Sequence, residues 1–322
     1  MTRTPGWGPV AGRTAFLALV LLLAVPTGVR AQELDGVVMR RDSTVVPGVM
    51  VELHRVTETS GALHDSTRAD DDGRFSFSLT DAEGGALFVA GARHEGVLYW
   101  GPPVHATVQP ELEDYPVFVF DTAAVDSPVS DLRLAIRHVV LTPTASAIQV
   151  EEIIDIGGQP DRTLVPASDS AIVWSGALAT GARGVVVVSG GVPEEDVLVF
   201  EKAVGFRGAL PPTGIRLAVQ YFVPSLDYEF TAEQPTDRLE VLAMPGPGTV
   251  FRVSGLTEAP TGGTMPVPVR RFTASDLQAG DVVTVGVSFE EPSRGRAWIW
   301  LLVALALGTA AIVSVRLNAR AA

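Results

Sequence analysis

The sequence predicts an all-β protein of two β-sandwich domains, followed by one C-terminal transmembrane α-helix. Three observations predict it. Short runs alternate apolar and polar residues with period two, and Pro or Gly punctuates them every ten or so residues. Long helical periodicity is missing between the two ends of the chain. The 19 residues from Ala297 to Val315 carry only Thr309 and Ser314 as polar side chains, and at 1.5 Å per residue they reach roughly 28 Å, enough for a bilayer core.

At the N-terminus, Arg3 and Arg13 precede an apolar run from Ala15 to Val25, and Pro26 and Gly28 end it. Val29 and Ala31 then supply small residues at the −3 and −1 positions of a cleavage site, so residues 1–31 are expected to be a secretory signal peptide. The clearest strands follow. Val49, Val51 and Leu53 oppose Met50, Glu52 and His54; Phe75, Phe77 and Leu79 oppose Arg74, Ser76 and Ser78. Ile215, Leu217, Val219, Tyr221 and Val223 oppose Arg216, Gln220 and Phe222. Further strands are expected at Tyr115–Phe120, Leu132–Leu141, Ile148–Ile156, Val185–Val188, Leu239–Ala243 and Val282–Phe289, and one short helical turn at Thr273–Leu277.

Residues 121–132, small and polar with one Pro and no apolar periodicity, read as a linker between a first domain at 32–120 and a second at 133–292. A Pro- and Gly-rich loop, Ala259–Pro268, interrupts the second. The span at 297–315 has Trp298 and Trp300 at its outer edge, where indole favours the membrane interface, and leaves a tail at 316–322. Signal peptide and span together place the domains outside the cytoplasmic membrane and the tail inside. Arginine-rich, lysine-poor usage, with Lys202 the sole lysine, suits a bacterium with a GC-rich genome.

The whole chain of 322 residues has net charge −13. The leader, span and tail hold five arginines and no acids, so residues 32–296 carry 19 bases against 37 acids, net −18. Such a surface disfavours nucleic acid, whose phosphates need a basic partner. The absence of cysteine excludes disulfides, thiolate nucleophiles and Cys-zinc sites.

Gly36-Val37-Val38 opens a strand, Val46-Pro47-Gly48 makes a turn into the strand Val49–Leu53, and Asp70–Gly73 makes a hairpin turn into Arg74–Phe77. This pattern, over about Leu34–Pro110, resembles the carboxypeptidase regulatory-like domain, a transthyretin-like β-sandwich also grouped with carbohydrate-binding-like folds. The resemblance implies a non-catalytic module; a peptidase would need a separate zinc-binding catalytic domain, which this sequence lacks.

His54, His64, His94, His105 and His138 fall at spacings that match no common zinc motif, so no metal or other cofactor is expected. Asp70, Asp71 and Asp72 could attract calcium, but consecutive acids do not match an alternating calcium loop, and a solvated turn explains them. Glu151-Glu152 and Glu194-Glu195-Asp196 read as solvated faces rather than catalytic pairs. Neither a G-x-S-x-G elbow nor a phosphate loop occurs. The aromatic pair Tyr99-Trp100 is the candidate ligand contact, since flat rings stack on pyranoses or peptides; core filling is the alternative. The sequence therefore points to a membrane-anchored, non-enzymatic interaction or structural protein of the bacterial envelope that meets another envelope protein. The alternatives are a glycan-binding module and a hydrolase with an unrecognised site.

Overall fold

The structure, a computed structural model, describes residues 32–57, 60–79, 87–105, 112–188, 191–261 and 268–290. The expected leader, span and tail, and residues 262–267 of the Pro/Gly-rich loop, lie outside the described residues. No helix among the described residues is long and apolar enough to cross a membrane.

The described residues are all-β. The first body holds β1 (Gln32–Met39), β2 (Met50–Val56), β3 (Gly61–Arg68), β4 (Arg74–Leu79), β5 (Leu87–His94), β6 (Val97–Trp100), β7 (Val104–His105) and β8 (Leu112–Phe118). After β9 (Asp121–Val125), the second body begins with β10 (Leu134–Pro143), β11 (Ile148–Ile156), β12 (Arg162–Pro166), β13 (Trp174–Ala177) and β14 (Arg183–Val188). It continues through β15 (Val197–Val199), β16 (Ala203–Phe206), β17 (Ile215–Val223), β18 (Asp227–Thr231) and β19 (Thr236–Ala243). It ends with β20 (Thr249–Ser254), β21 (Thr257–Ala259), β22 (Arg270–Leu277) and β23 (Val282–Phe289).

In the first body, a sheet ordered β4-β1-β8 and a sheet ordered β3-β2-β5-β6, with β7 on β5, share one core that includes Leu34, Val51, Leu53, Phe75, Phe77, Phe88 and Val117. Period-two alternation builds it: Phe75, Phe77 and Leu79 are buried while Arg74, Ser76 and Ser78 are exposed. The hairpin turn before β4 is closed by Asp70, whose Oδ1 accepts the backbone N–H groups of Asp72 and Arg74 at 2.9 and 2.8 Å. Gly73 sits at φ +71°, and a Cβ there would stand 2.8 Å from the Val38 carbonyl oxygen, so only glycine fits.

The second body has its own core, which includes Val139, Leu141, Ile154, Trp174, Leu217, Val219, Phe230, Val241 and Val285. It lies between a seven-stranded sheet, β14-β17-β11-β10-β19-β22-β21, and two smaller sheets, β18-β23-β20 and β13-β16-β15. β10 pairs antiparallel with β11 and parallel with β19.

Two expectations are corrected. The first part of the expected linker is a strand: β9 pairs parallel with β12, Asp121 opposite Arg162 through Val125 opposite Pro166. Its small side chains bury on neither side fully, so it shows no alternation, yet the backbone finds a ladder. The turn expected at Thr273–Leu277 is part of β22, which pairs with β19 and buries Phe272 opposite Val241. Tertiary pairing overrides the weak local preference for a helical turn there.

Candidate functional site

β5 and β6 form a hairpin whose turn residues, Glu95 and Gly96, both have positive φ, +47° and +83°. Such a turn matches the right-handed twist of a tight hairpin, although glutamate is an uncommon residue at positive φ. It leaves β6 at the edge of its sheet with Tyr99 pointing inward and Trp100 outward.

The expected pair Tyr99-Trp100 thus divides. Tyr99 is buried, and its hydroxyl stands 2.9 Å from the Phe120 carbonyl oxygen and 2.8 Å from Thr163 Oγ1. With one proton it donates to the carbonyl and accepts from the threonine, which is itself fully buried on β12 of the second body. Burial pushes the Tyr99 phenol up, keeping it neutral. Tyr99 is therefore a bond between the two bodies, and Trp100 alone of the pair offers surface, at 50% exposure. The indole lies against Gly91, its cross-strand partner, where a Cβ would come within 2.8 Å of Trp100 Cε3. His54 meets it edge-on at 4.8 Å between ring centroids. Beside them Glu52 accepts from Arg93 Nη2 at 3.1 Å and lies 3.4 Å from His54 Nε2. Partial burial pushes the Glu52 carboxyl up, but the bonds from Arg93 and His54 outweigh it and hold it below the usual range.

A cleft of about 1040 Å³ opens between the bodies. Trp100, Phe118, Val97 and Leu98 line it from the first, and Val192, Pro193, Pro211 and Ile215 from the second. Phe118 is 43% exposed. Four charged residues contribute: Arg41, Arg93, Arg216 and Asp196. Arg216 is held by both oxygens of Asp155, at 2.6 and 2.8 Å, and Arg93 by Glu52. Arg41 forms no ion pair or side-chain hydrogen bond among the described residues.

Next to the cleft a second set of side chains ties the bodies together. Asp121 Oδ1 accepts from Arg40 Nη2 at 2.7 Å and lies 3.4 Å from His94 Nε2. Glu95 Oε2 accepts from the Thr122 backbone N–H at 2.7 Å and its hydroxyl at 2.9 Å. His94, Glu95 and Asp121 bring one donor atom each within 4.8 Å of one another, a meeting that sequence spacing did not reveal because Asp121 arrives from another strand. Their oxygens already hold Arg40 and Thr122, and the guanidinium beside Asp121 opposes a cation. This arrangement is a clasp.

The second body also buries a polar group that the sequence reading missed. Arg137 and Glu152 are both essentially fully buried, with Arg137 Nε 2.8 Å from Glu152 Oε1 and Arg137 Nη2 2.7 Å from the Ala177 carbonyl oxygen. The guanidinium stands 3.9 Å over the Phe230 ring, and Tyr221 Oη lies 3.3 Å from Glu152 Oε2. Burial opposes the charge on Arg137, but Glu152 outweighs it and holds it protonated. Burial pushes the phenols of Tyr221 and Tyr228 up, reinforced by the Glu152 charge. Glu152 is thus not part of a solvated face, in contrast to the exposed Glu151, Glu194 and Glu195. Arg137 and Glu152 hold each other and are sealed from water, and the Tyr228 hydroxyl beside them is buried without a hydrogen-bond partner among the described residues, so the pair is a core element.

The other singled-out residues fill structural places: His64 packs against Phe88 at 5.4 Å, and His138 Nδ1 lies 3.9 Å from Glu240. The Asp70 carboxylate caps its turn, leaving Asp71 and Asp72 exposed.

No protein-family model and no curated protein matches this chain. Among solved structures, the full-length major pilin SpaD from Corynebacterium diphtheriae aligns with 80% of this chain and 81% of its own at 10% identity, with a TM-score of 0.19.

Proposed function

We propose that this chain is a non-enzymatic binding protein of the bacterial envelope, secreted, held in the cytoplasmic membrane by its C-terminal span, and meeting another envelope protein through the cleft between its two sandwiches. The first sandwich, on this reading, is a carboxypeptidase regulatory-like module used for contact. One observation carries the proposal: the cleft presents Trp100 and Phe118, both close to half exposed, together with the unpaired Arg41. Aromatic and arginine side chains at a concave, partly apolar surface are the residues that dominate protein interfaces. A −18 surface around them keeps the rest of the body solvated.

The test is affinity purification of the tagged, detergent-solubilised chain beside a Trp100→Ala/Phe118→Ala variant. A partner recovered by the wild type and lost, about tenfold or more, by the variant supports the reading; equal recovery by both overturns the assignment to the cleft. A second reading, glycan binding, rests on Trp100 alone, an exposed indole bedded on Gly91 with the Glu52–Arg93 pair beside it. Binding to an envelope polysaccharide that disappears in Trp100→Ala supports it, and no binding to any such polymer removes it.

A further inference from the structure

Two sheet edges of the first body, β8 and β6, contribute to the cleft, and they are built differently. β8 is blunted: Pro116 has no N–H to offer, the register against β1 shifts between Leu34 and Gly36, and Asp114 at that shift takes a positive φ of +59°. β6, Val97-Leu98-Tyr99-Trp100, holds no charge and no proline and keeps an unbroken register against β5, and all of its residues line the cleft. β5 pairs with β6 on one side, and no strand pairs with it on the other. The edge is short, and Pro102 follows soon after it, which keeps it from templating a long sheet and fits it to one short segment.

The hairpin fixes which backbone groups are open. His94 and Val97 flank its two-residue turn as a hydrogen-bonded pair, so bonded pairs recur at every second residue: Ala92 with Tyr99, then Ala90 with Gly101, whose N–H reaches the Ala90 carbonyl oxygen at 2.9 Å. Leu98 and Trp100 fall between them. Their N–H and C=O groups therefore point away from β5, to the open edge, and no described strand takes them up. Their side chains share the outer face of the sheet over Gly91, where a Cβ would stand 2.9 Å from Trp100 Cζ3 and 3.0 Å from Leu98 Cδ1. An apolar platform thus lies beside the open backbone groups.

We infer that the protein partner proposed above enters the cleft as an extended segment and adds a strand to β6, its backbone bonding to Leu98 and Trp100 and its side chains packing on Trp100 and Phe118. The inference rests on the reading of the cleft as a protein-binding site and adds how the partner is held. The cleft, about 1040 Å³, stands at the top of the range of about 300–1,000 Å³ that encloses a drug-sized ligand, which suits a few extended residues and not a folded domain. Charge states the segment's chemistry. Arg93 and Arg216 are already held by Glu52 and Asp155, whereas Arg41 on the first body and Asp196 on the second form no ion pair or side-chain hydrogen bond among the described residues. A segment with an acid for Arg41, a base for Asp196 and apolar residues for Trp100 and Phe118 complements both walls. Such a segment is neutral overall, so the net −18 of residues 32–296 does not repel it.

The test begins with short random peptides displayed on phage and selected on the full chain in detergent. Clones that bind the wild type but not Trp100→Ala/Phe118→Ala are made as free peptides. With such a peptide bound, the Leu98 and Trp100 amides of the wild type are expected to exchange hydrogen about tenfold more slowly, while Val97 and Tyr99, already bonded to β5, change less. Leu98→Pro deletes an outward N–H and spares the β5 ladder, so it should weaken the peptide about tenfold relative to Leu98→Ala, which keeps that N–H. Slow exchange of the Tyr99 amide in Leu98→Pro shows that the hairpin is folded; should the hairpin be lost, protection of the wild-type amides decides alone. Peptides that need Trp100 and Phe118 yet leave the Leu98 and Trp100 amides unprotected overturn the strand addition and leave a side-chain docking site. Selected sequences without an acid and a base overturn the roles given to Arg41 and Asp196. Failure to select any clone that depends on Trp100 and Phe118 overturns the cleft reading itself, and this inference with it.

Discussion

Removing one partner of the buried pair Arg137–Glu152 is expected to cost far more than removing both. In Glu152→Leu the guanidinium keeps the Ala177 carbonyl and the Phe230 ring but loses the carboxylate 2.8 Å away, in a site closed to water. An uncompensated buried charge of this kind costs about 3–5 kcal/mol. Arg137→Met strands the Glu152 carboxylate in the same way, leaving it only the Tyr221 hydroxyl. In the double variant no charge is buried, and the losses are the bonds to the Ala177 carbonyl and from Tyr221, about 1 kcal/mol each, against which burial of two apolar side chains works. The double variant should therefore lie within about 2 kcal/mol of the wild type, with a favourable coupling of at least about 3 kcal/mol between the two substitutions. Urea unfolding followed by tryptophan fluorescence measures it, because Trp174 is fully buried in the same core. Single variants that each cost less than about 1 kcal/mol, or a double variant as unstable as their sum, would refute the reasoning.

Tyr99→Phe removes both bonds of the hydroxyl that links Phe120 to Thr163 and leaves buried polar atoms behind, a loss of about 1–3 kcal/mol; it should show first as faster hydrogen exchange in β9 and β12. Gly73→Ala forces a side chain into positive φ against the Val38 carbonyl, which should cost about 1–2 kcal/mol of chemical-denaturation stability, seen in the first body. The Thr122 groups hold the Glu95 carboxyl, and the Arg40 guanidinium with His94 the Asp121 carboxyl, below their ordinary values of 4.5 and 3.8. Their stabilisation is complete above those values and is lost as pH falls through the depressed folded ones. Exchange in β9 should accelerate over that acid range, and Glu95→Gln should remove its share of the pH dependence.

Much of the strand pattern was legible because burial and period two coincide. β11 and β23 run over the expected residues, and the faces of β2, β4 and β17 divide as their sequences do. β3 escaped notice because, at a sheet edge, no residue of Gly61–Arg68 is fully buried, and a strand without a buried face leaves no alternation to read. Glu152 was misjudged although a signal existed: it shares parity with Ile148, Val150, Ile154 and Ile156, so the alternation itself turns it inward, and its neighbour Glu151 outward. Arg137 likewise shares parity with Val139 and Leu141. Parity outranks charge once a strand is assigned, because the backbone direction cannot yield to one side chain. The cleft was beyond reach, since it assembles residues from Arg41 to Arg216 through the parallel pairing of β9 with β12, which nothing local encodes.

That pairing bears on how the cleft would bind. β9 leaves the first body directly after Phe120 and enters the ladder of β12, while Tyr99 reaches Thr163, Arg40 reaches Asp121 and Glu95 reaches Thr122. The exposed members of this set are individually weak, about 0–1 kcal/mol for a surface ion pair. Tyr99 is different because its partners are buried and cannot exchange it for water. Acting together, these ties fix the relative position of the two walls before any partner arrives, which removes an ordering cost from association. Substitutions at Trp100 and at Tyr99 should then weaken binding for separate reasons: Trp100→Ala deletes contact area and speeds dissociation, whereas Tyr99→Phe leaves the contact residues intact and loosens the walls that carry them. A pre-set cleft also requires that Tyr99→Phe lose less affinity when the bodies are re-tied, for instance by a disulfide across β9 and β12, while Trp100→Ala gains nothing from the same tie.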